Sequence, residues 1–274
     1  MPPIPPALRS DAPPFIVMDV MAASADLEAQ GRDIVHMEVG QPGSPASKLS
    51  LDAARAALVH GRLAYTEALG KRSLRERIAR HYAEEYNVEI PVSRVMVTTG
   101  SSGAFNLALL AAFDPGARIA LPRPGYPAYR NLMGALGLKA VEIAAGPASN
   151  YVLTAEAIEK AHRQEKLSGV LIASPANPTG TITPADELER IIRFCESENI
   201  RFISDEIYHG LVYSGRAETA ARFSPDVITV NSFSKYYCLS GWRVGWMVLP
   251  ENLVRPVERL SQSLFISVPE LSQI

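Results

Sequence analysis

Val170-Leu171-Ile172-Ala173-Ser174-Pro175-Ala176-Asn177-Pro178 decides the fold. Its apolar start is strand-length and does not alternate, which marks a strand buried on both faces. Ser, Asn and two Pro then end it as a turn. Apolar runs of the same kind lie on either side, over Val95–Thr99, Arg118–Leu121, Ala140–Ala144, Phe202–Asp205, Val227–Asn231 and Val244–Leu249. Amphipathic segments separate most of them. Ser73-Leu74-Arg75-Glu76 has the pattern of a capping box, and Thr183-Pro184-Ala185-Asp186 predicts a helix with Pro184 at its first position. Strands alternating with helices predict an α/β fold, three layers α/β/α around a mostly parallel seven-stranded sheet.

Ligands of such sheets bind outside the carboxyl ends of the strands. Polar and aromatic groups stand where that rule asks for them. Gly100-Ser101-Ser102-Gly103 follows the first run, and Pro122-Arg123-Pro124-Gly125-Tyr126 the second. Ser174–Pro178 follows the fourth, Asp205-Glu206-Ile207-Tyr208 ends the fifth, and Ser232-Phe233-Ser234-Lys235 ends the sixth.

Composition narrows the function classes. The net charge is -2, and no basic run suggests a nucleic-acid partner. No apolar run is long enough to span a membrane, and the start, Met1-Pro2-Pro3-Ile4-Pro5-Pro6, lacks the pattern of a signal peptide. It reads as an extended arm. Cys195 and Cys238 form neither a metal pattern nor a disulfide framework, which points to a reducing cytoplasm.

Lys235 differs from the chain's other lysines because it follows an apolar strand and sits among Ser232, Ser234 and Tyr236. Burial in a cleft lowers an amine's pKa and makes it nucleophilic; a solvated loop lysine is the plain alternative. The helix-like stretch after Gly103 makes Ser101 and Ser102 candidates for a phosphate at a helix N-terminus, although serine is also a common N-cap. Arg243 would be the matching cation or an ordinary strand-edge residue. Asp205 ends a buried strand and needs a partner, either a protonated ring nitrogen or a structural arginine. Tyr126 is a stacking platform or core, and Asn177 a donor or merely a turn residue.

Taken as a set, Ser174–Gly180, Asp205–Tyr208, Ser232–Lys235 and Gly241-Trp242-Arg243-Val244-Gly245 resemble the class I/II aminotransferases of pyridoxal-phosphate (PLP) fold type I. The resemblance runs from about Gly40 to the last residue. It implies that Lys235 forms a Schiff base with PLP and that Asp205 keeps the pyridine nitrogen protonated. It implies Tyr208 and Asn177 as donors to the cofactor's phenolic oxygen, and Tyr126 as the ring stacked on the pyridine. Ser101, Ser102, Ser232, Ser234 and Arg243 match phosphate contacts. Tyr65 matches a tyrosine that reaches the phosphate in the neighbouring subunit of a homodimer with shared active sites. Gly40 matches a backbone contact to the substrate, where Tyr126 and Asn177 also lie. The catalytic set is then Lys235, Asp205 and Tyr208, acting on amino-acid and 2-oxo-acid substrates.

The resemblance also implies domains. Residues 1–40 would be an arm with part of a small domain, and 41–274 the large PLP-binding domain. The family's C-terminal small domain, with the arginine that clamps the substrate carboxylate, is expected to be absent, since Arg255 and Arg259 lie too early to match that arginine. A carbon–sulfur lyase, or a cofactor-binding fragment without turnover, stays open beside the transaminase because the cofactor motifs are shared.

Overall fold

The computed structural model describes residues 4–61 and 63–274; Met1–Pro3 of the proline-rich start lie outside the described residues. Helices α1 (Ile16–Ala29), α2 (Lys48–His60) and α3 (Arg72–Tyr86) come first. Strands and helices then alternate: β1 (Val95–Thr98), α4 (Gly100–Ala112), β2 (Arg118–Arg123), α5 (Pro127–Ala135), β3 (Lys139–Ala144), α6 (Ala155–Gln164), β4 (Gly169–Ala173), α7 (Ala185–Ser197) and β5 (Arg201–Asp205). The chain continues through β6 (Ile228–Ser232), β7 (Gly245–Val248) and α8 (Glu251–Leu264). No helix among the described residues is long and apolar enough to cross a membrane.

The strands form one seven-stranded sheet in the order β1-β7-β6-β5-β4-β2-β3. Five of them, β2 to β6, run parallel; β7 is antiparallel to both β6 and β1, so β1 points the same way as β6. The two-residue period of a strand divides its side chains between two cores. Leu171 of β4 packs with Ile203, Val230 and Met247 beneath α4, α5 and α8. Val170 and Ile172 pack on the other face with Ile158 of α6 and Leu188, Ile191 and Ile192 of α7. On that second face α3 covers the β1–β7 end, with Tyr82 and Tyr86 against Trp246 and Val97. The layers are thus the expected three. Each predicted apolar run is a strand.

Two helix starts differ from the expectation. The Ser73–Glu76 capping box does not form. Lys71 occupies the N-cap position, with no side-chain cap, and α3 begins at Arg72. Tertiary contacts fix that start: the Lys71 amide donates to Gln273 Oε1 (2.8 Å) and its ammonium to Glu270 Oε1 (2.8 Å). Glu76 accepts from Arg72 instead of reaching back to a cap. In α7, Pro184 is the N-cap and not the first helical residue: its ψ of 148° is extended, and the Thr183 amide before it donates to Ser174 Oγ (3.0 Å).

Candidate active site

Because β1, β2, β4, β5 and β6 share one direction, the segments after them meet at one edge of the sheet. β7 starts at the same edge, with Gly245 opposite both Ser232 and Thr98.

Asp205 is the last residue of β5 and is buried. Its carboxylate accepts from the Tyr129 hydroxyl and from the Ile207 amide (3.0 Å). A structural arginine, the alternative partner, is not among these contacts. Burial pushes the carboxyl pKa up to about 6, against the pull of those two donors. Tyr126 N-caps α5, so Tyr129 follows it by three residues and both rings face the same side; they meet edge to face, with centroids 5.3 Å apart. Phe15 packs edge-on against the far side of Tyr126 at 5.8 Å.

Lys235 follows β6 by three residues and is half-buried. Its ammonium donates to the Gly40 carbonyl and lies 6.0 Å from the centre of the Tyr208 ring. Burial lowers its pKa, and the Arg243 charge lowers it further. The Asn177 amide reaches toward the Tyr208 hydroxyl at 3.5 Å, the outer limit of a hydrogen bond. The Tyr208 pKa is raised, mainly by burial and then by the Asp205 charge.

The first turn of α4 starts right at Gly100, so Ser101 and Ser102 belong to the turn with unpaired amides, Ser101 half-buried and Ser102 exposed. Arg243 lies against it. A side chain on Gly100 (φ +70°) would begin 2.7 Å from Arg243 Nη2, so only glycine lets the guanidinium close on the helix terminus. Arg243 Nη1 is held by the Ser240 carbonyl at 2.8 Å. Ser232 and Ser234 are buried: the Ser232 hydroxyl is 2.8 Å from Ser234 Oγ and 3.1 Å from the Val244 carbonyl.

The donor set fits PLP. A helix terminus, two hydroxyls and a guanidinium suit a phosphate dianion. A buried carboxylate suits a protonated ring nitrogen, the half-buried ring of Tyr126 suits a flat ring, and an amine of lowered pKa suits an aldehyde.

One predicted residue stands apart from this group, and another meets it only through its backbone. Tyr65 is 80 % exposed and touches none of it. Gly40 contributes its carbonyl to Lys235 but has an open face where a side chain would be. Two further residues join the expected set. Tyr129 is signalled in the sequence by its spacing from Tyr126; His209, next to Tyr208, joins Ser174 and Tyr86 and has no sequence signal. A groove of about 890 Å³ at the opposite, amino edge of the sheet, lined by Phe113, Cys195 and Arg201 among others, contains none of these groups.

Comparison with known proteins agrees with this geometry. The family model "Aminotransferase class I and II" matches residues 32–273. A valine–pyruvate aminotransferase of Mycobacterium tuberculosis is 46% identical over 270 residues, covering 98% of this chain and 69% of that protein. A (5-formylfuran-3-yl)methyl phosphate transaminase of Methanocaldococcus jannaschii is 35% identical over 94% of this chain and 67% of its own length. Among solved structures, an aminotransferase from M. tuberculosis superposes with a TM-score of 0.94 at 45% identity, over 99% of this chain and 70% of that one. Thermus thermophilus aspartate aminotransferase with maleate gives 0.93 at 27% identity, over 98% of this chain and 71% of that one. A family match over nearly the whole chain, on a sheet edge that gathers the family's motif residues, settles membership: this chain belongs to the class I and II aminotransferases.

Proposed function

We propose that the chain binds PLP through Lys235 and moves an amino group from an α-amino acid to a 2-oxo acid. The observation that carries this reading is the placement of the Lys235 amine and the Asp205 carboxylate at the ends of adjacent parallel strands, each half-buried or buried and each shifted in pKa toward the less charged form.

When bound, PLP supplies an aldehyde and a ring that takes up the electrons left as the substrate Cα proton departs. In this reading Lys235 carries the aldehyde at rest. With the cofactor bound and the amine free, Lys235 would be the group placed to take up the substrate Cα proton and then give it back, base first and acid second. Its lowered pKa suits both tasks. Asp205 holds a proton at the ring nitrogen, and Tyr129 and the Ile207 amide keep the carboxylate charged for that role. Tyr208 and Asn177 donate at the phenolic oxygen. Tyr126 covers one face of the ring. Ser101, Ser102, Ser232, Ser234, Arg243 and the α4 terminus would hold the phosphate, the two buried serines from the turn that leads to Lys235. Gly40, whose carbonyl accepts from Lys235, would offer its backbone to the substrate carboxylate.

The same reading makes residues 1–40 an arm with part of a small domain and 41–274 the cofactor domain. It makes the active protein a cytoplasmic homodimer whose exposed Tyr65 serves the partner's site. Cys195 and Cys238 are both free, in keeping with a reducing compartment. The valine–pyruvate name of the relative at 46% identity makes L-valine and pyruvate the first pair to test. The PLP-loaded protein, given that pair, should form one alanine per 2-oxoisovalerate. Release of ammonia and a thiol from a sulfur-bearing amino acid such as cystathionine, without a new amino acid, would replace transamination with a carbon–sulfur lyase reaction.

A further inference from the structure

Behind Tyr208 lies a buried group that the proposed chemistry does not use. His209 is buried, with Nε2 3.0 Å from the Ser174 carbonyl and Nδ1 2.7 Å from the Tyr86 hydroxyl. A carbonyl only accepts, so the ring proton belongs on Nε2. Nδ1 then accepts from Tyr86. One neutral ring therefore joins three elements: α3 through Tyr86, the turn after β4 through Ser174, and the turn after β5 through its own backbone.

These two turns carry the two side chains at issue. Asn177 is three residues past Ser174, and Tyr208 directly precedes His209. The Asn177–Tyr208 approach of 3.5 Å leaves no slack, since a slightly larger separation is not a hydrogen bond. The far end of the His209 turn is also fixed. Gly210 (φ +90°) backs onto the Tyr236 ring, where an added side chain would begin 2.6 Å from a ring carbon. Tyr236 is the neighbour of Lys235.

We propose that His209 is a positioning residue that sets the Asn177–Tyr208 pair by tying the turn after β4 to the turn after β5. This rests on the reading that both side chains serve the phenolic oxygen of PLP. The surroundings suit a neutral ring. Burial depresses the His209 pKa to about 4. Glu206 Oε2 lies 3.8 Å from Nδ1, too far for a hydrogen bond, and that carboxylate is occupied by Thr219 Oγ1 (3.0 Å) and the Ala220 amide (2.9 Å). Arg216 lies over the Tyr86 ring at 4.7 Å and His81 packs edge-on against it at 5.8 Å, and both charges add to burial in holding the His209 ring neutral.

The test compares His209→Gln with His209→Met. The two replacements have nearly the same size, but only glutamine carries a donor. Both variants and the wild type are loaded with PLP, and the absorbance of the lysine-bound cofactor is titrated against pH. Donors at the phenolic oxygen hold that midpoint down. His209→Met should raise it by about one unit and weaken PLP binding by about tenfold, the effect of one lost hydrogen bond. His209→Gln should recover most of both. Equal midpoints and affinities in the two variants would overturn the proposal, even if both melt at lower temperature. A measurement on the wild type stands beside this in case a variant does not fold. Nitrogen-15 histidine spectra should show His209 protonated on Nε2 alone, and a ring protonated on Nδ1 alone could not donate to Ser174 and would equally overturn it. Failure of the wild type to form a lysine-bound cofactor at all is a separate result, which strikes at the PLP reading and leaves the tautomer measurement to decide the tie.

Discussion

The Tyr129 hydroxyl donates to the Asp205 carboxylate across 76 residues of sequence, and both groups are buried. The bond opposes desolvation. It keeps a carboxylate that burial would neutralise within reach of ionisation near neutral pH.

Tyr129→Phe removes that donor while keeping the ring against Phe105 and Tyr126. The Asp205 pKa should then rise above its value of about 6. A carboxyl-carbon NMR titration of the cofactor-free protein measures it directly. An unchanged or lower value would mean that the Ile207 amide alone sets the group.

Asp205 also gives the fold a signed pH dependence. Its folded pKa, about 6, lies above the ordinary 3.8, so the folded state binds the proton more tightly than the unfolded chain. The contribution favours folding at low pH and is lost as pH rises through about 6. Asp205→Asn, free of this loss, should gain on the cofactor-free wild type by about 2–3 kcal/mol between pH 4 and pH 7.5 in urea unfolding. A gap that narrows over that range contradicts the assignment. The same variant, loaded with PLP, should run the amino-acid half-reaction at least about a hundredfold slower while still holding cofactor.

Arg243 sits against the first turn of α4, so its effect should depend on phosphate. Arg243→Ala should weaken PLP binding by about tenfold or more, the value of a charge-assisted hydrogen bond. Pyridoxal, which lacks the phosphate, should bind the variant and the wild type nearly alike. Equal losses for both compounds would place Arg243 elsewhere than at the phosphate.

Tyr65 stands 80 % exposed. If it serves a partner's site, a mixture of Tyr65→Phe and Lys235→Ala proteins should recover activity once subunits exchange, because one site per mixed dimer is intact. Proven exchange with no recovery would mean that each site is built from one chain.

The range of each interaction decides how much of the molecule is legible in the sequence. Runs such as Val170–Ala173 announce buried strands by local pattern. Parallel strands bring their C-terminal turns to one edge, so Asp205, Asn177 and Lys235 can be placed together from sequence alone. The start of α3 cannot. Its boundary depends on Gln273 and Glu270, some two hundred positions away, and local capping rules point to Ser73 instead. His209 is joined to Tyr86 over 123 residues, a pairing that no spacing rule contains. Tyr129 lies between these cases, since its spacing from Tyr126 is visible in the sequence while its partner is not.

The central claim is that Lys235 carries the cofactor. Incubation with PLP, reduction with borohydride and peptide mapping test it most directly. A stable pyridoxyl mass is expected on the peptide containing Lys235, and none in Lys235→Ala. A label on Lys48, Lys71, Lys139, Lys160 or Lys166 that survives the Lys235→Ala substitution would contradict it.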